Sequence, residues 1–172
     1  ESGNQKMLDS INKKTTVQQI KDAAKWSRES GVESEGGFII GFPGETKKDT
    51  QDTIDLAISL DLDHIKLNLF VPYPGSDVYD QLKKEGKLTN MDFNEYTPYP
   101  TYTGGQVPFV PEGRTHEDLI AMQKKGMRRA FFRKRVILRE LKSFRLKNIP
   151  QYWAAVTSLL FPKSEKETKS FS

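Results

Sequence analysis

The sequence predicts an α/β protein in which parallel strands alternate with helices, part of a (β/α) architecture that gives way to a C-terminal helical extension. Two observations carry this. Over residues 1–88 the apolar residues recur at helical and then extended spacing, in the order helix, strand, helix, strand, helix. Strands separated by helical crossovers pair in parallel, with right-handed connections. The second observation is charge: residues 1–111 hold 12 basic and 17 acidic side chains, whereas residues 112–172 hold 15 basic and 6 acidic. That split predicts two physically different regions, bounded at 1–112 and 113–172.

Gln5 to Lys13 reads as a short helix with Met7, Leu8 and Ile11 on one side. Thr16-Val-Gln-Gln19 is a capping-box pattern, in which the threonine oxygen accepts a first-turn amide and Gln19 reaches back. The helix it starts carries Val17, Ile20 and Ala24 on one face and stops at Gly31. Val32 to Phe42 then reads as a strand. Pro43-Gly44 turns the chain, and Thr46-Lys-Lys-Asp49 caps a helix with apolar positions Ile54, Leu56, Ala57, Ile58 and Leu60. A second strand runs from His64 to Val71. Pro72-Tyr-Pro-Gly75 ends it, and Ser76 starts a helix through Val78, Tyr79 and Leu82 to Gly86. Residues 89–114, with Pro98, Pro100, Pro108, Pro111 and Gly104-Gly105, read as an irregular loop. Thr115 caps one long helix to about Lys147, with Ile120, Met127, Phe131, Leu138 and Leu141 along its apolar stripe. Residues 151–161 read as a short last helix and Lys163 to Ser172 as a frayed polar tail.

Composition narrows the chemistry. Apolar residues make up 35% and the mean hydropathy is −0.66, and no run approaches the roughly 20 apolar residues that span a bilayer. The expectation is a cytoplasmic protein. Cysteine is absent, which removes disulfides, thiolate metal sites and a cysteine nucleophile. His64 and His116 are too few for a zinc site without carboxylate help. No residue of the chain presents itself as a catalytic group or a metal ligand.

The informative stretch is Gly36-Gly-Phe-Ile-Ile-Gly-Phe-Pro-Gly-Glu-Thr46. Gly37 and Gly41 remove side chains where a ligand or another backbone approaches a strand closely. Phe38, Ile39, Ile40 and Phe42 suit a strand buried on both faces. Glu45 and Thr46 fall at a helix N-terminus, and in a parallel barrel the segment from Phe42 to Glu45 lies at the strand end where sites are built. The same pattern also suits an ordinary strand–turn–helix joint with a capping threonine. In the second strand Ile65, Leu67, Leu69 and Val71 share one face, and Lys66, Asn68 and Phe70 the other. If the apolar face packs under helices, Lys66 and Asn68 point into the barrel and imply an open or ligand-occupied lumen. An edge strand with one solvated face fits the pattern equally.

Three segments, Glu1-Ser-Gly-Asn-Gln-Lys-Met-Leu8, Gly37 to Thr46 and Phe70-Val-Pro-Tyr-Pro-Gly-Ser76, occur in an order and spacing that resembles radical S-adenosylmethionine (SAM) enzymes. The likeness covers residues 1 to about 88 and is nearest the subgroup with an N-terminal domain resembling a cobalamin-binding fold. It implies a partial (β/α)6 barrel holding SAM against a [4Fe-4S] cluster, whose electron cleaves SAM to methionine and a 5′-deoxyadenosyl radical. By resemblance, Glu1 and Ser2 match the end of the fourth strand, contacting the ribose or amino-acid part of SAM. Gly37, Ile39 and Gly41 match the fifth-strand motif, with Ile39 supporting the adenine. Glu45 stands four residues after Gly41, where the family motif has its glutamate three residues on. Phe70, Val71 and Pro72 match the sixth-strand segment flanking the adenine, and Asn68 joins them as a cofactor contact.

The family's CxxxCxxC cluster loop has no counterpart, since the chain has no cysteine. The expectation is a C-terminal fragment lacking strands one to three and most of four, inactive alone. Its cluster ligands would lie in a missing N-terminal half, with cobalamin a further cofactor of the parent protein. Methylation, methylthiolation and ring formation all occur in the family, and neither the reaction nor the substrate is read from these residues. A half-barrel also predicts a homodimer, swapped elements or completion by the missing half. The competing expectation is a non-catalytic module. Its helix would dock Lys124, Lys125, Arg128, Arg129, Arg133, Lys134, Arg135, Arg139, Lys142 and Arg145 on nucleic acid, a membrane surface or a partner protein. A solvated basic face on a packed helix is the commoner use of such a run.

Overall fold

The computed structural model describes residues 1–88, 92–93, 96–103, 107–143 and 149–160. Its elements are α1 (Gln5–Ser10), α2 (Val17–Glu29), β1 (Glu35–Ile40), α3 (Lys47–Ser59), β2 (His64–Leu69), α4 (Asp77–Lys84), α5 (Pro100–Thr103), α6 (His116–Phe131), α7 (Lys134–Ser143) and α8 (Ile149–Leu160). The described strands form one parallel sheet of β1 and β2, joined by the α3 crossover. Mixed α/β structure with parallel pairing is therefore observed.

Helix starts follow the capping chemistry. Thr16 accepts from the Gln19 amide while Gln19 reaches back to the Thr16 amide, and Thr46 and Asp49 repeat the arrangement on α3. Ser76 and Thr115 cap α4 and α6 through the amides of Tyr79 and Asp118. Strands are shorter than the apolar runs that announced them. At one end, the amide and hydroxyl of Ser34 both donate to Asp63 Oδ2. At the other, Gly41 takes φ 88° and leaves the ladder. Similarly α1 stops at Ser10, because Asn12 adopts φ 53°.

The core lies on one side of the sheet. Phe38 and Ile40 of β1 and Leu67 and Leu69 of β2 pack with Ile54, Leu56 and Ala57 of α3 and Leu119 of α6. The single long helix expected from Thr115 to Lys147 is corrected to two. Phe132 leaves α6 with ψ 17°, and the Arg133 side chain donates to Ala130 O at 2.9 Å, occupying a last-turn carbonyl. Of the expected stripe, Ile120 and Met127 pack half-buried against the core, but the fully buried residues of α6 are Leu119, Gln123, Gly126 and Ala130, and Phe131 and Leu138 are exposed. Small residues decide this, because a Cβ on Gly126 would stand 2.5 Å from Leu67 Cδ2. The predicted stripe position Leu141 and the polar tail lie outside the described side chains.

Much of the charge split is consumed inside the chain. Arg129 donates to Asp55 at 2.6 Å, and Arg135 donates to Asp63 at 3.0 and 2.7 Å. Arg139 donates to the Asp63 carbonyl at 3.1 Å. These pairs tie α6 and α7 to α3 and to the start of β2. Gln123, fully buried, covers the outer edge of β2: its amide donates to Leu67 O (2.8 Å) and Pro98 O (2.9 Å) and its oxygen accepts from Thr101 (2.5 Å). Leu69 N also donates to Pro98 O, so this edge is satisfied without another strand.

Candidate functional site

Register fixes which residues share a face. Gly37 stands opposite Lys66, Phe38 opposite Leu67, Ile39 opposite Asn68 and Ile40 opposite Leu69. Since Phe38, Ile40, Leu67 and Leu69 are buried under helices, Gly37, Ile39, Lys66 and Asn68 line the other face. That face is open: Gly37 and Lys66 are exposed, and Ile39 and Asn68 half-buried. Lys66 donates to Glu35 at 2.8 Å. A Cβ on Gly37 would meet nothing within 4 Å. Beside it, Asn68 Oδ1 is buried without a hydrogen-bond partner. A buried acceptor left empty costs stability.

Glu1 joins this sheet by its backbone. Ile39 N donates to Glu1 O at 2.8 Å and the Glu1 nitrogen donates to Gly37 O at 3.1 Å, the alternation of a parallel ladder along the free edge of β1. The Glu1 carboxylate is held by Lys13 at 2.9 Å. Ser2 turns toward α3 instead of the open face: it is buried, and its hydroxyl shares a 3.1 Å hydrogen bond with Thr53. Gly3 N donates to the same Thr53 oxygen, and Asn4 donates to Asp49 at 2.7 Å. A side chain at Gly3 would collide with Asp52 O at 2.6 Å. Thr53 and Asp49 thus seat the first segment; the sequence pattern marked Asp49 only as a capping residue and gave no sign of Thr53.

At the strand end the chain folds around Glu45. Gly41 N and Phe42 N donate to Glu45 Oε2 at 2.9 and 3.0 Å, and Thr50 donates its hydroxyl to Oε1. Arg114 in turn donates to Thr50 Oγ1 at 3.0 Å and pairs with Asp118. Burial pushes the Glu45 carboxyl above its ordinary range, against the opposing pull of Thr50, the two amides and Arg114. Glu45 therefore shapes the Gly41–Phe42 turn, and its oxygens are occupied within the chain. Phe70 continues the ladder through Phe70 N to Ile40 O at 2.8 Å. Its ring packs against Phe42 and Phe109, with centroids 5.0 and 6.0 Å apart. Val71 and Pro72, which follow it in the chain, are buried.

Gly37, Ile39, Asn68 and the Glu1 backbone thus converge on one face, with Gly41, Phe70 and Pro72 at its C-terminal rim. Ser2 and Glu45 support that face from behind. Among the described residues no group of three His, Cys, Asp or Glu side chains is placed to hold a metal ion. The arrangement offers an apolar platform, room at a glycine and one amide acceptor, which suits a flat ligand with polar edges.

Known proteins resemble parts of this chain. The Radical SAM superfamily profile matches residues 1–57. An uncharacterised methyltransferase of Pyrococcus horikoshii is 36% identical over 97 residues, covering 56% of this chain and 21% of that protein. An anaerobic magnesium-protoporphyrin IX monomethyl ester cyclase of Rubrivivax gelatinosus is 31% identical over 96 residues, 56% of this chain and 17% of that protein. A tRNA-2-methylthio-N(6)-dimethylallyladenosine synthase of Vibrio cholerae is 32% identical over 136 residues, 72% of this chain and 28% of that protein. The matches thus span only 17–28% of the length of these relatives. On these matches residues 1–57 belong to the radical SAM superfamily.

Proposed function

We propose that the open face of β1 and β2 is the adenosine-side wall of a radical SAM barrel, in which Gly37, Ile39, Asn68, Phe70 and Pro72 receive SAM. The observation that carries this reading is the unpartnered Asn68 oxygen beside the empty space over Gly37. SAM fits this wall. Its adenine and ribose bring the N–H and O–H donors that Asn68 lacks, and Ile39 supplies an apolar surface for a flat ring. Phe70 packs against Phe42 and Phe109, and Glu45 fixes the Gly41–Phe42 turn. Both act by positioning the rim.

The [4Fe-4S] cluster does not fit these residues, because the 172-residue chain has no cysteine to ligate it. We place its ligands on strands outside this chain, in a barrel that Glu1 joins along the free edge of β1, and we expect the chain alone to be inactive. The chemistry such a cluster supplies is one-electron cleavage of SAM. Methyl transfer, methylthiolation and ring closure are the reaction types named among the relatives. Association with a cobalamin-binding domain belongs to the same proposal and is supported by motif spacing. The coding sequence upstream of Glu1 tests the reading. A CxxxCxxC run within a strand–helix pattern is the expected result, and an open reading frame without one contradicts it.

A further inference from the structure

Among the described residues, seven of the eleven large apolar side chains left exposed fall between Phe131 and Val156. They are Phe131, Phe132, Ile137, Leu138, Ile149, Trp153 and Val156, with Trp153 at 70% exposure. The helix α8, Ile149–Leu160, contains no charged residue, and none of its described side chains is buried. A helix this apolar is stable in water only when something covers it. The body of the protein buries none of the described side chains of α8.

Charge says what the cover is. From Leu119 to Phe161 the sequence holds eleven basic residues and a single acidic one, Glu140. Arg129, Arg135 and Arg139 are engaged with Asp55, Asp63 and the start of β2. Arg128 and Lys134 are exposed beside the apolar residues. We propose that α7 and α8 form a peripheral membrane-binding element that lies in the interface of an anionic lipid bilayer.

Three arguments favour that occupant. No helix among the described residues is long and apolar enough to cross a membrane, so the element lies flat. Trp153 prefers the boundary between headgroups and acyl chains, where its ring is apolar and its N–H wet. A second copy would bring two strongly basic surfaces together, and nucleic acid would leave the aliphatic and aromatic surface uncovered. Geometry gives the docking an orientation. Arg135 and Arg139 hold α7 at the N-terminal end of β2, opposite the Gly41–Glu45 and Phe70–Pro72 strand ends. The open rim then faces away from the lipid.

The experiment uses the full chain with Trp26→Phe, which leaves Trp153 as the only tryptophan, Trp26 being exposed outside the core. It is mixed with phosphatidylcholine vesicles with and without about 30% phosphatidylserine, a composition that sets a negative surface potential. The expected result is co-sedimentation with the anionic vesicles only, a blue shift of Trp153 emission, and weakening as salt rises. Trp153→Glu, on an exposed helix, lowers vesicle affinity at least tenfold with an unchanged unfolding midpoint. Absence of partition into anionic vesicles overturns the proposal. So does equal partition of the Trp153→Glu variant, which tests the apolar contact independently of charge. A concentration-dependent blue shift without lipid assigns the surface to self-association, and salt-sensitive binding to duplex RNA without vesicle binding assigns it to nucleic acid; either overturns the proposal.

Discussion

Glu45 is the residue whose replacement most directly tests how the strand end is built. Glu45→Ala removes the acceptor for the amides of Gly41 and Phe42 and for the Thr50 hydroxyl. Gly41 and Phe42 are buried and have no water to turn to. Thr50 retains Thr46 O at 3.3 Å as a second acceptor. Two orphaned amides at about 1–3 kcal/mol each give a loss of about 2–6 kcal/mol, a large fraction of the roughly 5–15 kcal/mol of a typical domain. Glu45→Gln keeps an acceptor toward the amides and turns its NH2 toward Thr50, so its loss is about 1 kcal/mol. The pH dependence supplies an independent sign. Burial raises the folded carboxyl above its ordinary 4.5, so its contribution to stability is full below that value and is lost as pH rises through the folded pKa. The glutamine variant does not titrate there. The stability gap between parent and Glu45→Gln should therefore narrow between about pH 4 and about pH 7. Urea unfolding followed by circular dichroism at both pH values measures it. An alanine loss below about 1 kcal/mol, or a gap that widens with pH, refutes the reasoning.

Two further predictions concern the fold around the site. Gln123→Met keeps the volume but leaves Leu67 O and Thr101 without their partner, while Pro98 O keeps the Leu69 amide, so it costs about 2–4 kcal/mol in urea unfolding. Hydrogen exchange of the Leu69 amide, which donates to Pro98 O, accelerates with it. Asp63 takes the Ser34 amide and hydroxyl and the Arg135 guanidinium, which together hold its carboxyl at about 2 against the cost of burial. Its folded pKa is depressed, so its stabilisation is present above the ordinary 3.8 and disappears as pH falls toward about 2. Asp63→Asn should remove that part of the acid unfolding curve and leave the curve above about pH 5 parallel to the parent.

The parts of this molecule that were legible in the sequence are those fixed by local chemistry. Thr16 with Gln19 and Thr46 with Asp49 announced two helices through short-range hydrogen bonds that need no tertiary context. Alternation in His64 to Leu69 assigned Lys66 and Asn68 to the face opposite the core, and the register agrees. What the pattern could not show came from long-range packing. The packed face of α6 is set by Gly126 and Ala130, whose small size matters only because Leu67 and Ile54 press against them. A stripe of large apolar residues pointed one position away. Ser2 and Glu45 likewise face α3 and Arg114 because of partners 51, 5 and 69 positions along the chain, the last reached through Thr50. Asn68 was singled out by its polarity, but its empty oxygen is visible only in three dimensions.

The most direct measurement is the affinity of the whole natural protein for SAM, by equilibrium dialysis, with and without Gly37→Val. The new side chain enters open space and an extended strand, so the fold tolerates it. It would occupy the volume assigned to the adenosine. The account predicts at least a tenfold weaker SAM affinity with an unchanged unfolding midpoint. Equal affinity in the variant would mean that SAM does not lie on this face, and the central assignment would fall.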